Sequence, residues 1–243
     1  MSLKYKIMYI FPHPDDESFG PAALMSAQVK QGHEIYLLTL TKGGATKQRF
    51  KLNLSVEEMG EVRYKEMVNV ANVLGLSKME VLDLPDSGLK EMDPRIIEKI
   101  VESKIVNFRP DIIVSYPVHG VSGFHDHLIM HAIIKRVYVQ LKDDNAAYLK
   151  RLAFLTLPDS GKPVFLADGS FRMKNSAEEE IDCIVDLSVE NISAMKDALS
   201  CYETYKDTIA ESRVVEKIGD KLYFEFFMEN FTPPVKNITE KLQ

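Results

Sequence analysis

Cysteine is nearly absent from this chain: Cys183 and Cys201 are the only two in 243 residues, and they lack a CxxC spacing. A disulfide framework is thereby excluded, and free thiols are expected. Long hydrophobic runs are missing too. No stretch reaches the roughly 18 apolar residues of a membrane-spanning helix. The apolar run Ile7 to Phe11 is too short for the core of a secretory signal and stops at Pro12-His13-Pro14. A soluble, cytoplasmic protein is expected. Positive charge is not in excess, since 30 basic against 36 acidic side chains leave a net charge of −6. No overall field draws polyanions, so nucleic acid is not an expected partner. Neither a Walker loop nor GxGxxG is present, which removes the nucleotide-binding signatures. With no internal repeat, low-complexity tract or Gly/Ser linker, one domain over residues 1–243 is expected.

What is present is an alternation of short apolar runs with longer helical patterns, the mark of a parallel sheet flanked by helices. Strands are predicted over Lys6 to Pro12, His33 to Thr41, Glu80 to Leu84 and Asp111 to Tyr116. Between them fall a helix ending at Gly32, a helix from Ser55 to Leu74 stopped by Gly75, and a helix capped by Asp93 with Pro94 behind it. Ser55-Val56-Glu57-Glu58 has capping-box form. Ile96, Ile97, Ile100, Val101, Ile105 and Phe108 trace one apolar stripe, and Leu128 to Leu141 reads as a further helix. The fold class is therefore α/β, a Rossmann-like three-layer arrangement with a mostly parallel sheet. Strand candidates at Arg151 to Leu157, Ile181 to Leu187 and Lys221 to Met228, with a helix from about Val189 to Tyr205, either extend the sheet or form a small antiparallel lobe.

Every histidine except His33 lies in one of two places: His13, after the first strand, and His119, His125, His127 and His131, after the fourth. Ligands and catalytic groups of open parallel sheets gather beyond the carboxyl ends of strands. His13-Pro14-Asp15-Asp16-Glu17 sets an imidazole beside three adjacent acids, which repel one another unless a cation or solvent relieves them. Neutral imidazole plus carboxylate from more than one segment is a donor set for Zn2+. A solvated turn with an N-cap aspartate is the plainer alternative. No HExxH zinc helix is present, because Leu128, Ile129 and Met130 separate His127 from His131.

His13-Pro14-Asp15-Asp16-Glu17 resembles the HPDDE signature of the LmbE-like, or PIG-L, family of zinc-dependent N-acetylglucosamine deacetylases. Gly123-Phe124-His125-Asp126-His127 is similar to that family's Gly-His-x-Asp-His motif, and Arg63-x-x-Glu66 to a third, weaker signature. The resemblance implies one Zn2+ per chain on His13, Asp16 and His127, with Asp15 as the general base. It implies hydrolysis of the N-acetyl group of a small amino-sugar conjugate, and it leaves room for a homo-oligomer. Asp126 either orients a neighbouring imidazole or stabilises the helix N-terminus. Arg63 either binds a polar substrate group or forms a salt bridge with Glu66 or Glu58.

One departure stands out. Phe124 occupies the place of a family histidine taken to stabilise the oxyanion or protonate the leaving group. His125, one residue later, is the expected catalytic substitute, with His131 or Arg63 as the others. Two rival readings follow from these residues: a metal- or sugar-binding protein that has lost turnover, from Phe124, and an HD-type phosphohydrolase, from His125-Asp126. The second requires an all-helical fold.

Overall fold

A computed structural model of the chain describes residues 3–159, 161, 164–165 and 171–242. Among them the strands are β1 (Lys6–Phe11), β2 (Glu34–Thr41), β3 (Lys78–Leu84), β4 (Ile112–Ser115), β5 (Arg151–Thr156), β6 (Val164–Phe165), β7 (Phe171–Met173), β8 (Cys183–Asp186) and β9 (Lys221–Phe226). The α-helices are α1 (Pro21–Lys30), α2 (Gln48–Lys51), α3 (Val56–Leu74), α4 (Pro94–Phe108), α5 (His125–Asp143), α6 (Val189–Ser200), α7 (Lys206–Ser212) and α8 (Val214–Ile218). Seven strands form one sheet in the order β3-β2-β1-β4-β5-β9-β8. The β2/β3 and β4/β5 pairs are parallel and β5/β9 is antiparallel. The predicted mostly parallel α/β sheet is present, and the all-helical HD-type reading is excluded. The three C-terminal strand candidates, seen as β5, β8 and β9, all extend the sheet, whereas β6 and β7, which the sequence does not mark, pair antiparallel in a sheet of their own. No helix among the described residues is long and apolar enough to cross a membrane.

The chain divides into two compact units, each discontinuous in sequence. The first comprises residues 1–4, 9–88 and 187–221; the second comprises 5–8, 89–186 and 222–243.

In the first unit α3 begins with the predicted capping box, Ser55 Oγ accepting from the Glu58 N–H at 3.1 Å and Glu58 Oε2 accepting from the Ser55 N–H at 2.8 Å. It ends on Gly75 in the left-handed conformation, the residue type that adopts it without strain. The loop predicted from Lys42 to Leu54 contains the single turn α2. The helix expected to reach Tyr205 stops at Ser200, and a 3-10 turn over Glu203–Tyr205 follows.

In the second unit Asp93 caps α4 as predicted, its side chain accepting from the Arg95 N–H. The buried face of α4 is narrower than the predicted stripe: Ile97, Val101 and Ile105, at spacings of four, are buried, whereas Ile96 is 51% exposed. Helix α5 starts at His125, three residues before the predicted Leu128, so His125, Asp126 and His127 form its first turn. The deepest charge of this unit is Arg151, wholly buried at the start of β5. Its Nε and Nη2 grip the Glu229 carboxylate at 2.8 and 2.7 Å, and its Nη1 donates to the carbonyls of Ile238 and Glu240. Removing one partner of such a pair costs about 3–5 kcal/mol when both are buried. Glu229 is 27% exposed, which places Arg151→Leu at about 3 kcal/mol, a fall in Tm of about 6–12 °C for a chain of this size. Thermal unfolding measures it, and an unchanged Tm would contradict the assignment. Both cysteines are free thiols, as expected.

Candidate active site

In the first unit the turn after β1 carries the HPDDE residues. It is built around Asp15, whose φ of +83° lies in the left-handed region that non-glycine residues seldom occupy. The backbone there is held from every side. The Asp15 carbonyl accepts from the N–H groups of Ser18 and Phe19 at 2.8 and 3.1 Å. Asp16 Oδ2 accepts from the His13 N–H at 2.9 Å, so Asp16 closes the turn on His13 and is itself buried. His13 Nδ1 is 3.6 Å from Asp16 Oδ2, and its Nε2 is 3.4 Å from Asp86 Oδ1.

Arg63, on α3, reaches this turn. It is 2% exposed, and its Nη2 donates to Asp15 Oδ2 at 2.6 Å and to the Pro14 carbonyl at 2.7 Å, while Nη1 donates to the Gly43 carbonyl at 3.1 Å. Gly43 has φ +65°, and a Cβ there would collide with Arg63 Nη1 and Pro14 Cδ, so only glycine lets the guanidinium in. Arg63 therefore pairs with neither Glu58 nor Glu66. Glu58 belongs to the capping box, and the Glu66 carboxylate accepts from the N–H and hydroxyl of Thr204 at 2.8 and 2.7 Å. Among the described residues no hydrogen bond engages Asp15 Oδ1. Burial pushes the Asp15 carboxyl up to about 7, against the pull of Arg63 and with the push of Asp16 and Glu17. Glu17 is fully buried and its carboxyl is likewise raised, chiefly by burial, although Ser18 and Tyr202 donate to its Oε1 at 2.6 and 2.8 Å.

In the second unit His127 is buried in the first turn of α5. Its Nδ1 lies 3.0 Å from the Gly120 carbonyl and 3.1 Å from Ser122 Oγ. A carbonyl can only accept, so Nδ1 carries a proton, and in the neutral ring this leaves Nε2 as the nitrogen able to ligate a metal. Tyr116 stacks on the ring at 4.4 Å, and Phe124 meets it edge-on at 5.7 Å. One turn on, the Nδ1 of buried His131 is fixed in the same way by the Tyr116 carbonyl at 3.0 Å. The loop that supplies the Gly120 carbonyl is itself anchored. His119 Nδ1 accepts from the Val121 N–H at 3.1 Å, so its Nε2 carries the proton toward Ser176 Oγ at 3.2 Å. Burial holds the His119 pKa down to about 4, and Ser176 Oγ donates onward to Glu225.

The sequence-selected residues thus fall into two groups. His13, Asp15, Asp16 and Arg63 are gathered in the first unit; Asp126 and His127 are buried in the first turn of α5 in the second, with His125 exposed beside them. The sequence does not single out Asp86, Thr204, Tyr202 or Tyr205. Asp86 follows β3 at its carboxyl end, a position that could have marked it. The other three follow α6, where no local pattern distinguishes them.

A family model described as PIG-L, GlcNAc-PI de-N-acetylase, matches residues 8–138. The mycothiol S-conjugate amidase of Streptomyces coelicolor is 32% identical over 151 residues, 55% of this chain and 51% of that protein. A probable N-acetyl-alpha-D-glucosaminyl L-malate deacetylase 2 of Bacillus subtilis is 30% identical over 146 residues, 58% of this chain and 65% of that one. The chain spans between about half and two thirds of the length of these relatives. Among solved structures, the N,N'-diacetylchitobiose deacetylase from Pyrococcus horikoshii superposes with a TM-score of 0.64 at 18% identity, covering 97% of this chain and 88% of that one. GalB, the 4-carboxy-2-hydroxymuconate hydratase of Pseudomonas putida, does so with a TM-score of 0.67 at 12% identity, covering 99% and 100%. At these identities the likeness is one of fold, and a fold shared by a deacetylase and a hydratase does not choose the chemistry.

Proposed function

Since the chain belongs to the PIG-L family, we propose that it is a zinc-dependent hydrolase that removes the N-acetyl group from a small N-acetylglucosaminyl conjugate. Metal ligation is assigned to His13, Asp16 and His127, and the general base to Asp15. The observation that carries this reading is the Asp15 carboxylate, with one oxygen fixed by a buried arginine and the other outside the hydrogen-bond network.

The donor chemistry fits a divalent ion. His13, Asp16 and His127 offer two imidazole nitrogens and a carboxylate oxygen, a set Zn2+ accepts with room for exogenous ligands. When bound, the ion supplies Lewis acidity to the amide carbonyl and lowers the pKa of water. The rest falls to the chain. Arg63 holds Asp15 Oδ2, so Oδ1 is presented in one orientation to take a proton from the attacking water and return it to the departing amine nitrogen. Atoms balance as amide plus water giving acetate and a free amino sugar. Asp126 is assigned to orienting His127 or a neighbouring imidazole. His125, exposed beside Phe124, is assigned as donor to the developing oxyanion; His131 is the alternative, because the Tyr116 carbonyl already sets its tautomer. Arg63, also considered for substrate binding, is reassigned to holding Asp15, since its Nη groups already donate to three protein oxygens of that turn and of Gly43.

The N-acetylglucosaminyl group is supported by the family's description and by the malate conjugate named for the Bacillus relative. A cytoplasmic location accords with two free cysteines, which a reducing compartment preserves. The test is metal analysis of the purified protein followed by acetate release from a panel of N-acetylglucosaminyl conjugates. One zinc per chain and acetate from at least one conjugate are expected. A zinc-loaded protein that binds conjugates yet releases no acetate would instead be a binding protein.

A further inference from the structure

The segment after α6 contributes nothing to the family's motifs, yet it reaches the general base. Tyr202 is 1% exposed, and its hydroxyl accepts from the Asp15 N–H at 2.8 Å while donating to Glu17 Oε1 at 2.8 Å. That N–H belongs to the residue with φ +83°, a conformation that costs about 1–3 kcal/mol outside glycine and persists only where its surroundings impose it. The neighbouring Asp15 carbonyl is held by local backbone bonds, and its side chain by Arg63. Its N–H is held by a phenol 187 residues away in sequence.

Tyr202 is in turn held by α3. Thr204 donates twice to the Glu66 carboxylate, and the Tyr205 ring lies over the Arg63 guanidinium at 4.1 Å. Arg63 and Glu66, three apart on one helix face, thus have complementary roles. The arginine grips the Asp15 turn, and the glutamate grips the segment that carries Tyr202. This accounts for the pairing of an arginine with a glutamate that do not touch each other's charges.

We propose that Tyr202 is a positioning residue that fixes the backbone of Asp15, docked for that purpose on Glu66 through Thr204. The inference rests on the reading of Asp15 as the general base. A misplacement of about 1 Å costs on the order of 10²-fold in rate, so Tyr202→Phe, which removes only the hydroxyl, is expected to lower kcat by about 10- to 100-fold. KM and bound zinc should stay within about twofold, because neither the metal ligands nor the substrate contacts change. A merely structural tyrosine would lower Tm and leave kcat per folded, metal-loaded molecule intact.

The assay uses the full chain and the N-acetylglucosaminyl conjugate that the panel shows to be hydrolysed, with Asp15→Asn run in parallel. Should Tyr202→Phe fail to fold, Thr204→Val and Thr204→Ser decide the matter: valine should lower kcat and serine, which keeps the hydroxyl, should restore it. Tyr202→Phe with wild-type kcat, or in the fallback Thr204→Val with wild-type kcat, overturns the proposal. If Asp15→Asn is inactive in that same experiment, the general-base reading survives alone; if Asp15→Asn is fully active, both fall.

Discussion

Asp15→Asn is expected to lower kcat by about 10²- to 10⁴-fold, the usual contribution of a positioned general base, with zinc content and folding preserved. The substitution is close to isosteric. An amide oxygen can still accept from Arg63 Nη2, so the contacts from Arg63 to the Pro14 and Gly43 carbonyls persist. Asparagine also tolerates positive φ better than most residues, so the turn at +83° is not further strained. What is lost is the ability to accept a proton. Asp15→Ala is a poorer test, since it leaves Arg63 without its carboxylate and places a Cβ-bearing residue with no polar side chain in the left-handed region. Steady-state kinetics with metal analysis on the same sample measures the effect. Hydrolysis within threefold of wild type would falsify the assignment of the base.

The second large effect is expected at His127. His127→Ala should abolish stoichiometric zinc binding and with it acetate release, whereas Ser122→Ala should weaken zinc binding by about 10- to 100-fold, the usual penalty for removing a partner behind a ligand. The graded outcome follows from the geometry: Ser122 Oγ is one of two groups at Nδ1, and the Gly120 carbonyl remains to fix the tautomer when the hydroxyl is gone. Competition against a chelating dye, read with each variant, gives the affinities. Full zinc occupancy in His127→Ala would remove that residue from the ligand set.

The parts of the fold and site that could be read in the sequence are those whose causes are local. The capping box at Ser55, the glycine stop at Gly75 and the Asp93-Pro94 start of α4 depend on residues within a few positions, and they stand where the pattern put them. Helix α5 begins three residues ahead of the predicted Leu128 because Phe124, at its N-cap, offers no side-chain cap to announce it. Arg63 shows the limit most plainly. Glu66, three positions on along the same helix, stands where a salt bridge ordinarily forms, and the sequence left that pairing, one with Glu58 and substrate binding all open. The partner of Arg63 is Asp15, 48 positions away. A buried guanidinium seeks several oxygens at once, and the Pro14 and Gly43 carbonyls supply what a single glutamate on its own helix could not. Tyr202 is less legible still, because a tyrosine after a helix has no signature until the turn it touches is known.

The 187-residue separation between Asp15 and Tyr202 also has a meaning in time. A ribosome adding about 5–20 residues per second takes roughly 10–40 s to travel that distance. Throughout that interval the nascent chain carries its complete HPDDE sequence without the phenol that holds it. The first unit, whose last segment is 187–221, cannot close until that segment has been made. Closure of this unit therefore comes late in synthesis, well after the residues to which the chemistry is assigned have been made.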